Sequence, residues 1–207
     1  MSIKDAFKHE KSTSPAQIVH MLNVMEKLFG FYNPVIGFEL HSLYKKKQYA
    51  KCVSVIKRQM GVTKTVGLKV YENHLFKEEC GDAAGIVNVA TLDNRKEFNV
   101  IKIPRSTIEK YHKFIQVIVH ELSHVILYDV KHEFKYSEIA TDLLGFLFGF
   151  GVIFETQRYA DKTVKVGYLS SGDIEVALAH LHIRYTRKQK LLYFVSHGLN
   201  KTLGLLA

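Results

Sequence analysis

His120, Glu121 and His124 stand in the pentapeptide His120-Glu121-Leu122-Ser123-His124, inside an apolar-periodic stretch from Phe114 to Tyr128 that predicts a helix. Residues four apart stack on one helical face, so both imidazoles point the same way. Imidazoles placed like this can fill two corners of a tetrahedral zinc site, and the neighbouring carboxylate of Glu121 can take a proton from metal-activated water. The surroundings are apolar. Val117, Ile118 and Val119 precede the motif, Val125 and Ile126 follow it, and no other charge falls between Val117 and Tyr128. Burying such a trio without partners costs several kcal/mol, and a metal is a common way to satisfy it. The chain has 11 histidines, so the competing reading is a chance pentapeptide whose polar groups are satisfied within an ordinary core.

The motif resembles that of the zincin metallopeptidases. Val117 lies three before the first His, uncharged residues fill the pentapeptide, and the hydrophobic Ile126 lies two after the second His. The metzincin subgroup would need Gly and His seven and ten residues after His120; Leu127 and Val130 occupy those positions, which excludes it. His132 matches no zincin spacing. Downstream, Glu138-Ile139-Ala140-Thr141-Asp142 places two carboxylates at i and i+4 on a second predicted helix and resembles the gluzincin arrangement. That resemblance implies Glu138 as third metal ligand. It implies Asp142 as the acceptor of a hydrogen bond from a zinc-binding His, fixing its tautomer. Only 13 residues separate His124 from Glu138, short for a gluzincin, and this implies a tight return and a compact, minimal site. The competing reading of Glu138 is a carboxylate placed at the positive N-terminus of its helix.

Taken together, the resemblance implies a peptidase with a Zn2+ cofactor held by His120, His124 and Glu138, and with Glu121 as general base. Two other classes stay open: an inactive or regulatory metal-binding module on the same fold, and a basic, nucleic-acid-associated protein in which the pentapeptide is incidental. The carboxylate of Glu121 argues against the first, because a pseudoenzyme has no chemical need for it. The oxyanion-stabilising group is not identified; Tyr168, His180, His182 and His197 are candidates that are more often ordinary surface or core residues.

The elements that must position these groups are read from periodicity. Residues 1–13 are polar and expected to be loose. Ser14-Pro15 opens a helix carrying Ile18, Met21, Leu22, Met25 and Leu28 at helical spacing, which Gly30 and Pro34 end. Phe38 to Met60 predicts one or two helices with a basic outer face. Val66, Leu68 and Val70 then alternate with Gly67, Lys69 and Tyr71 as a strand does. The runs Ile86–Ala90 and Phe98–Ile103 predict a hairpin turning at Asp93–Lys96; the zincin resemblance implies that one of these two strands is an edge that pairs with extended substrate, and a purely structural hairpin is the competing reading. Ser106 and Glu109 offer a capping box to the motif-bearing helix. Leu143 to Phe154 reads as a buried helix, with Gly145, Gly149 and Gly151 permitting close approach of the active-site helices. After Glu155 a polar turn region is expected. Ser170 and Asp173 cap a helix reaching about Tyr185, and a last helix from Lys188 has Leu191, Leu192, Phe194 and Val195 as its apolar side. The expected class is α+β: a zincin-like core with a small sheet, the motif helix and a following ligand-bearing helix, plus helices at both ends. The expected organisation is one domain over 1–207, with a helical part at 14–60, the core at 62–159 and a helical part at 164–207.

Composition bounds the rest. Hydrophobic residues make up 47% of the 207, with 13 Phe and 11 Tyr, enough for a real core. Cys52 and Cys80 are too few for a disulfide scaffold or a thiolate zinc site and suit reduced thiols in the cytoplasm. The N-terminus lacks the apolar core of an export signal. The longest uncharged run, Leu143–Phe154, falls short of the ~20 residues that cross a bilayer, so no transmembrane segment is expected. The net charge of +9 is concentrated at Lys45–Lys47, Lys57-Arg58 and Arg184 to Lys190. Such runs are usually solvated faces, although they attract acidic partners or anionic membranes. The expected partner is a peptide or protein substrate, acidic if the charge is used. Nucleic acid is disfavoured, because no recognition motif accompanies the charge.

Overall fold

A computed structural model of the chain describes residues 13–35, 37–88, 98–160 and 167–202. Its elements run α1 (Pro15–Phe29), α2 (Phe38–Lys45), α3 (Tyr49–Gln59), β1 (Thr65–Tyr71), α4 (Asn73–Cys80), β2 (Ile86–Asn88) and β3 (Phe98–Pro104). They continue with α5 (Arg105–Ile108), α6 (Tyr111–Tyr128), a 3-10 turn at Glu133–Tyr136 and α7 (Glu138–Gly145). A π-helical turn at Phe146–Phe150, α8 (Gly151–Ala160), α9 (Ser171–Arg184) and α10 (Arg187–Thr202) complete them. The protein is therefore α+β in the broad sense, mostly helix with one small sheet. The chain divides into two compact units, Glu39–Lys131 and Met1–Phe38 with His132–Ala207.

The Glu39–Lys131 unit is built on a three-stranded sheet in the order β1-β3-β2. β3 is central, parallel to β1 with Leu68 opposite Ile101, and antiparallel to β2 with Val87 opposite Ile101. Its β-branched residues suit the middle of a pleated surface, and Ile101 and Ile103 on one face are fully buried. The hairpin pairing of the second and third strands is as the alternation predicts; the turn itself, Asp93–Lys96, lies outside the described residues, as do Val89 and Ala90. β1 alternates less cleanly than expected, with Val70 exposed. Helix α6 contacts β2, β3, α3 and α5 and buries Phe114, Ile115, Val117, Ile118, Leu122 and Val125. Cys52, Val53 and Ile56 of α3 belong to the same core.

Two features of this unit differ from expectation. The capping box at Ser106 and Glu109 does not form: the Ser106 N–H donates to Asn73 Oδ1 at 2.9 Å, and α6 starts instead at Tyr111 without a side-chain cap. The chain needs a corner between β3 and α6, and α5 makes it. Thr107, fully buried, donates to the Ala84 carbonyl at 2.8 Å, and Tyr44 donates to the Ile108 carbonyl at 2.7 Å. Helix α4 was not legible in the sequence, because it buries only Phe76 and so carries almost no periodic signal.

In the other unit, α1 is capped as its sequence predicts, with Ser14 and Gln17 forming a capping box and Ile18, Leu22 and Met25 buried. α9 begins with the expected Ser170–Asp173 box. The apolar run after Asp142 is buried throughout, and it kinks at Gly149, whose carbonyl accepts the Val35 N–H at 2.9 Å. No helix among the described residues is long and apolar enough to cross a membrane. Instead of a polar turn directly after Glu155, α8 continues to Ala160; residues 1–12, expected to be loose, and 161–166, which hold the rest of the expected turn and the start of the 164–207 part, lie outside the described residues. The apolar side assigned to the last helix is corrected as well. Among the described residues of α10, Tyr193 and Ser196 are buried and Leu192 is half-buried, while Leu191, Phe194 and Val195 are exposed. The reason is polar anchoring: Ser196 donates to the Val35 carbonyl at 2.7 Å, and the Tyr193 hydroxyl bonds the Glu155 carboxylate.

Candidate metal centre

Helix α6 brings the two motif histidines together on one face. Their Nε2 atoms are 3.1 Å apart, with ring centroids separated by 4.7 Å and planes at 87°. Both rings are half-buried. This close approach needs a neutral ring facing a ring N–H, or a cation that both lone pairs can share. Ser123, between them in sequence, turns inward and donates to the Val119 carbonyl at 2.9 Å, so the only hydroxyl of the pentapeptide is used within the helix.

The Glu121 side chain is on the sheet side. It is 5% exposed, and a carboxylate so dehydrated is costly unless its charge is compensated. The chain entering β2 passes directly over it. A Cβ on Gly85 would collide with Val117 and would sit 3.3 Å from Glu121 Oε1. Gly85 is thus the residue that lets backbone approach this carboxylate, a role that sequence reasoning missed. A lone Gly before a short strand was the available signal. β2 is an outer strand of the sheet and β3 is not, so of the two hairpin strands only β2 is an edge among the described residues.

Glu138 is the first residue of α7, whose N-cap Ser137 accepts the Ala140 N–H on its hydroxyl at 3.1 Å. The expected second helix therefore exists and starts at the expected carboxylate. Asp142, one turn on, is buried. Its Oδ2 accepts the Tyr168 N–H at 2.6 Å. Gly167 precedes that N–H with φ of +94°, and a Cβ there would sit 2.6 Å from Asp142 Oδ2 and 2.9 Å from Oδ1. A left-handed glycine and a backbone amide together fix the Asp142 carboxylate. Nothing in the sequence marked this pairing.

The oxyanion candidates have other surroundings. Tyr168 is exposed and reaches Asp142 through its backbone. His182 packs edge-on against Tyr193, with centroids 4.4 Å apart, and His197 stacks on the same ring. Burial lowers the pKa of both His180 and His182, the behaviour of imidazoles kept neutral inside helix packing.

Among the described residues, His120, His124 and Glu138 form one group that could hold a metal ion, each offering a ligand atom. Two imidazole nitrogens and a carboxylate oxygen suit a divalent first-row metal, and three protein ligands leave a coordination position open. Compared with known proteins, the chain matches no family model, no curated protein and no solved structure.

Proposed function

We propose that the chain is a zincin-like, zinc-dependent peptidase, in which His120, His124 and Glu138 hold the metal and Glu121 moves the proton. The observation that carries the reading is the convergence of the two Nε2 atoms, 3.1 Å apart, on the helix that also buries Glu121. When bound, zinc polarises a carbonyl and lowers the pKa of water to roughly 7. The chain's own residues do the rest. Glu121 accepts the proton of the attacking water and returns it to the departing amide nitrogen. Asp142, its carboxylate held by the Tyr168 amide, accepts the free ring N–H of one imidazole and keeps the other nitrogen available to the metal. β2 suits pairing with an extended peptide, because an outer strand presents main-chain groups along the line on which a scissile amide would lie. The +9 charge favours an acidic protein or peptide as substrate. The free thiols of Cys52 and Cys80 fit a reducing compartment, and we assign the protein to the cytoplasm.

The test is the Glu121→Gln variant, assayed with the wild type against a mixed peptide library and against proteins from the same cell. The proposal expects fold and zinc to be retained and turnover to fall by roughly 10²- to 10⁴-fold. Wild-type turnover in the variant contradicts it. Zinc binding with no turnover by either protein points to the regulatory module instead.

A further inference from the structure

Helix α10 carries Leu191, Phe194, Val195 and Leu199 on the outside, with Leu192 half-buried. Successive residues turn by about 100° around a helix axis. On that wheel Leu191, Phe194 and Val195 fall on the face opposite Tyr193 and Ser196, and Leu199 lies at its edge. The exposures agree: Leu191 is 64% and Phe194 69% exposed, and Val195 and Leu199 are exposed too, while Tyr193 and Ser196 are buried. The hydrogen bonds from Ser196 to the Val35 carbonyl and from Tyr193 to Glu155 hold the helix in this rotation. The apolar stripe is therefore not a core face waiting to turn inward.

Its charges have one sign. Arg187, Lys188 and Lys190 are exposed on the first turn of α10, and no Asp or Glu occurs anywhere from Val176 to Ala207. An exposed apolar stripe of Leu, Phe and Val that continues a cationic first turn without any acidic residue suits a helix lying on an anionic lipid surface. A second copy of this chain is a poor occupant, because it would set two acid-free cationic helices against each other. No helix among the described residues is long and apolar enough to cross a bilayer.

We propose that α10 is a peripheral membrane-binding element, which docks the protein on anionic lipid through Leu191, Phe194, Val195 and Leu199 with Arg187, Lys188 and Lys190 at the headgroups. This is independent of the metal centre.

The full chain is tested by flotation with vesicles of phosphatidylcholine alone and of phosphatidylcholine with phosphatidylserine. The expected result is at least about tenfold more protein on the anionic vesicles, and release as salt shortens the Debye length from ~10 Å to ~3 Å. Leu191→Glu/Phe194→Glu, at positions already in water, should keep the far-ultraviolet circular dichroism and lose the vesicle-bound fraction about tenfold. The chain has no tryptophan, so Phe194→Trp gives a single reporter whose emission should shift to the blue on anionic vesicles only. Equal flotation with both vesicle types, no flotation, or unshifted emission overturns the proposal. Self-association that the double variant abolishes, without flotation, overturns it in favour of a protein partner.

Discussion

Helices α6 and α10 are of similar length, 18 and 16 residues, yet they bury opposite things. α6 takes a carboxylate and a serine into a core of Phe114, Ile115, Ile118 and Leu122. α10 turns Tyr193 and Ser196 inward and leaves Leu191 and Phe194 in water. Scattered apolar residues on a surface are ordinary, so the informative features are a buried polar group and a contiguous exposed apolar face. Each helix carries one of these. We propose chemistry for the dehydrated Glu121 of α6 and a docking surface for the inverted stripe of α10.

The comparison is broken most sharply by two phenylalanines. Phe114→Ala should destabilise the fold by about 3–5 kcal/mol, as loss of a fully buried ring does. Phe194→Ala should stay within about 0.5 kcal/mol. Denaturant midpoints of the two variants measure the contrast, and equal losses would mean that α10 is packed through its apolar side after all.

A smaller effect concerns the other half of the candidate site. Gly167→Ala forces a Cβ onto the Asp142 carboxylate at a positive φ. If Asp142 orients a ligand, zinc affinity should drop by about 10- to 100-fold. Gly172→Ala, which meets nothing closer than Ser170 Oγ at 3.8 Å, serves as the benign control. Unchanged affinity in Gly167→Ala would detach Asp142 from the metal.

A further effect is a pH slope within the unit that carries α6. Burial, helped by nearby His41, pushes the His112 imidazole from 6.5 down to about 4, and its Nδ1 has no hydrogen-bond partner among the described residues. The folded state keeps this ring neutral while the unfolded chain protonates it. Stability from this group is therefore intact above about pH 6.5 and falls as pH drops from there towards 4. Urea midpoints over that range should decline less steeply in His112→Gln, and an identical slope would show that another group is responsible.

How much was legible before the structure follows from where the signal lay. α1 and α9 carry cap residues and regular apolar spacing, and both begin where Ser14 and Ser170 put them. α6 and α7 were legible because apolar runs enclose His120, Glu121, His124, Glu138 and Asp142. The corner at α5 was not, because Thr107 acts through a bond to Ala84, 23 residues away in sequence. The apolar spacing of α10 points to the wrong inward face for a related reason. Hydropathy cannot register that a tyrosine and a serine find partners at Glu155 and Val35, far along the chain. The closest supports of the candidate site, Gly85 against Glu121 and the Gly167–Tyr168 backbone against Asp142, depend on backbone conformation that no side-chain pattern encodes.

The proposed peptidase site stands or falls with its metal. Elemental analysis of protein purified without added metal, beside a His120→Ala control, measures it. The account predicts about one zinc per chain in the wild type and its loss in the control. No zinc in the wild type even after zinc is offered, or zinc retained undiminished in His120→Ala, would contradict it.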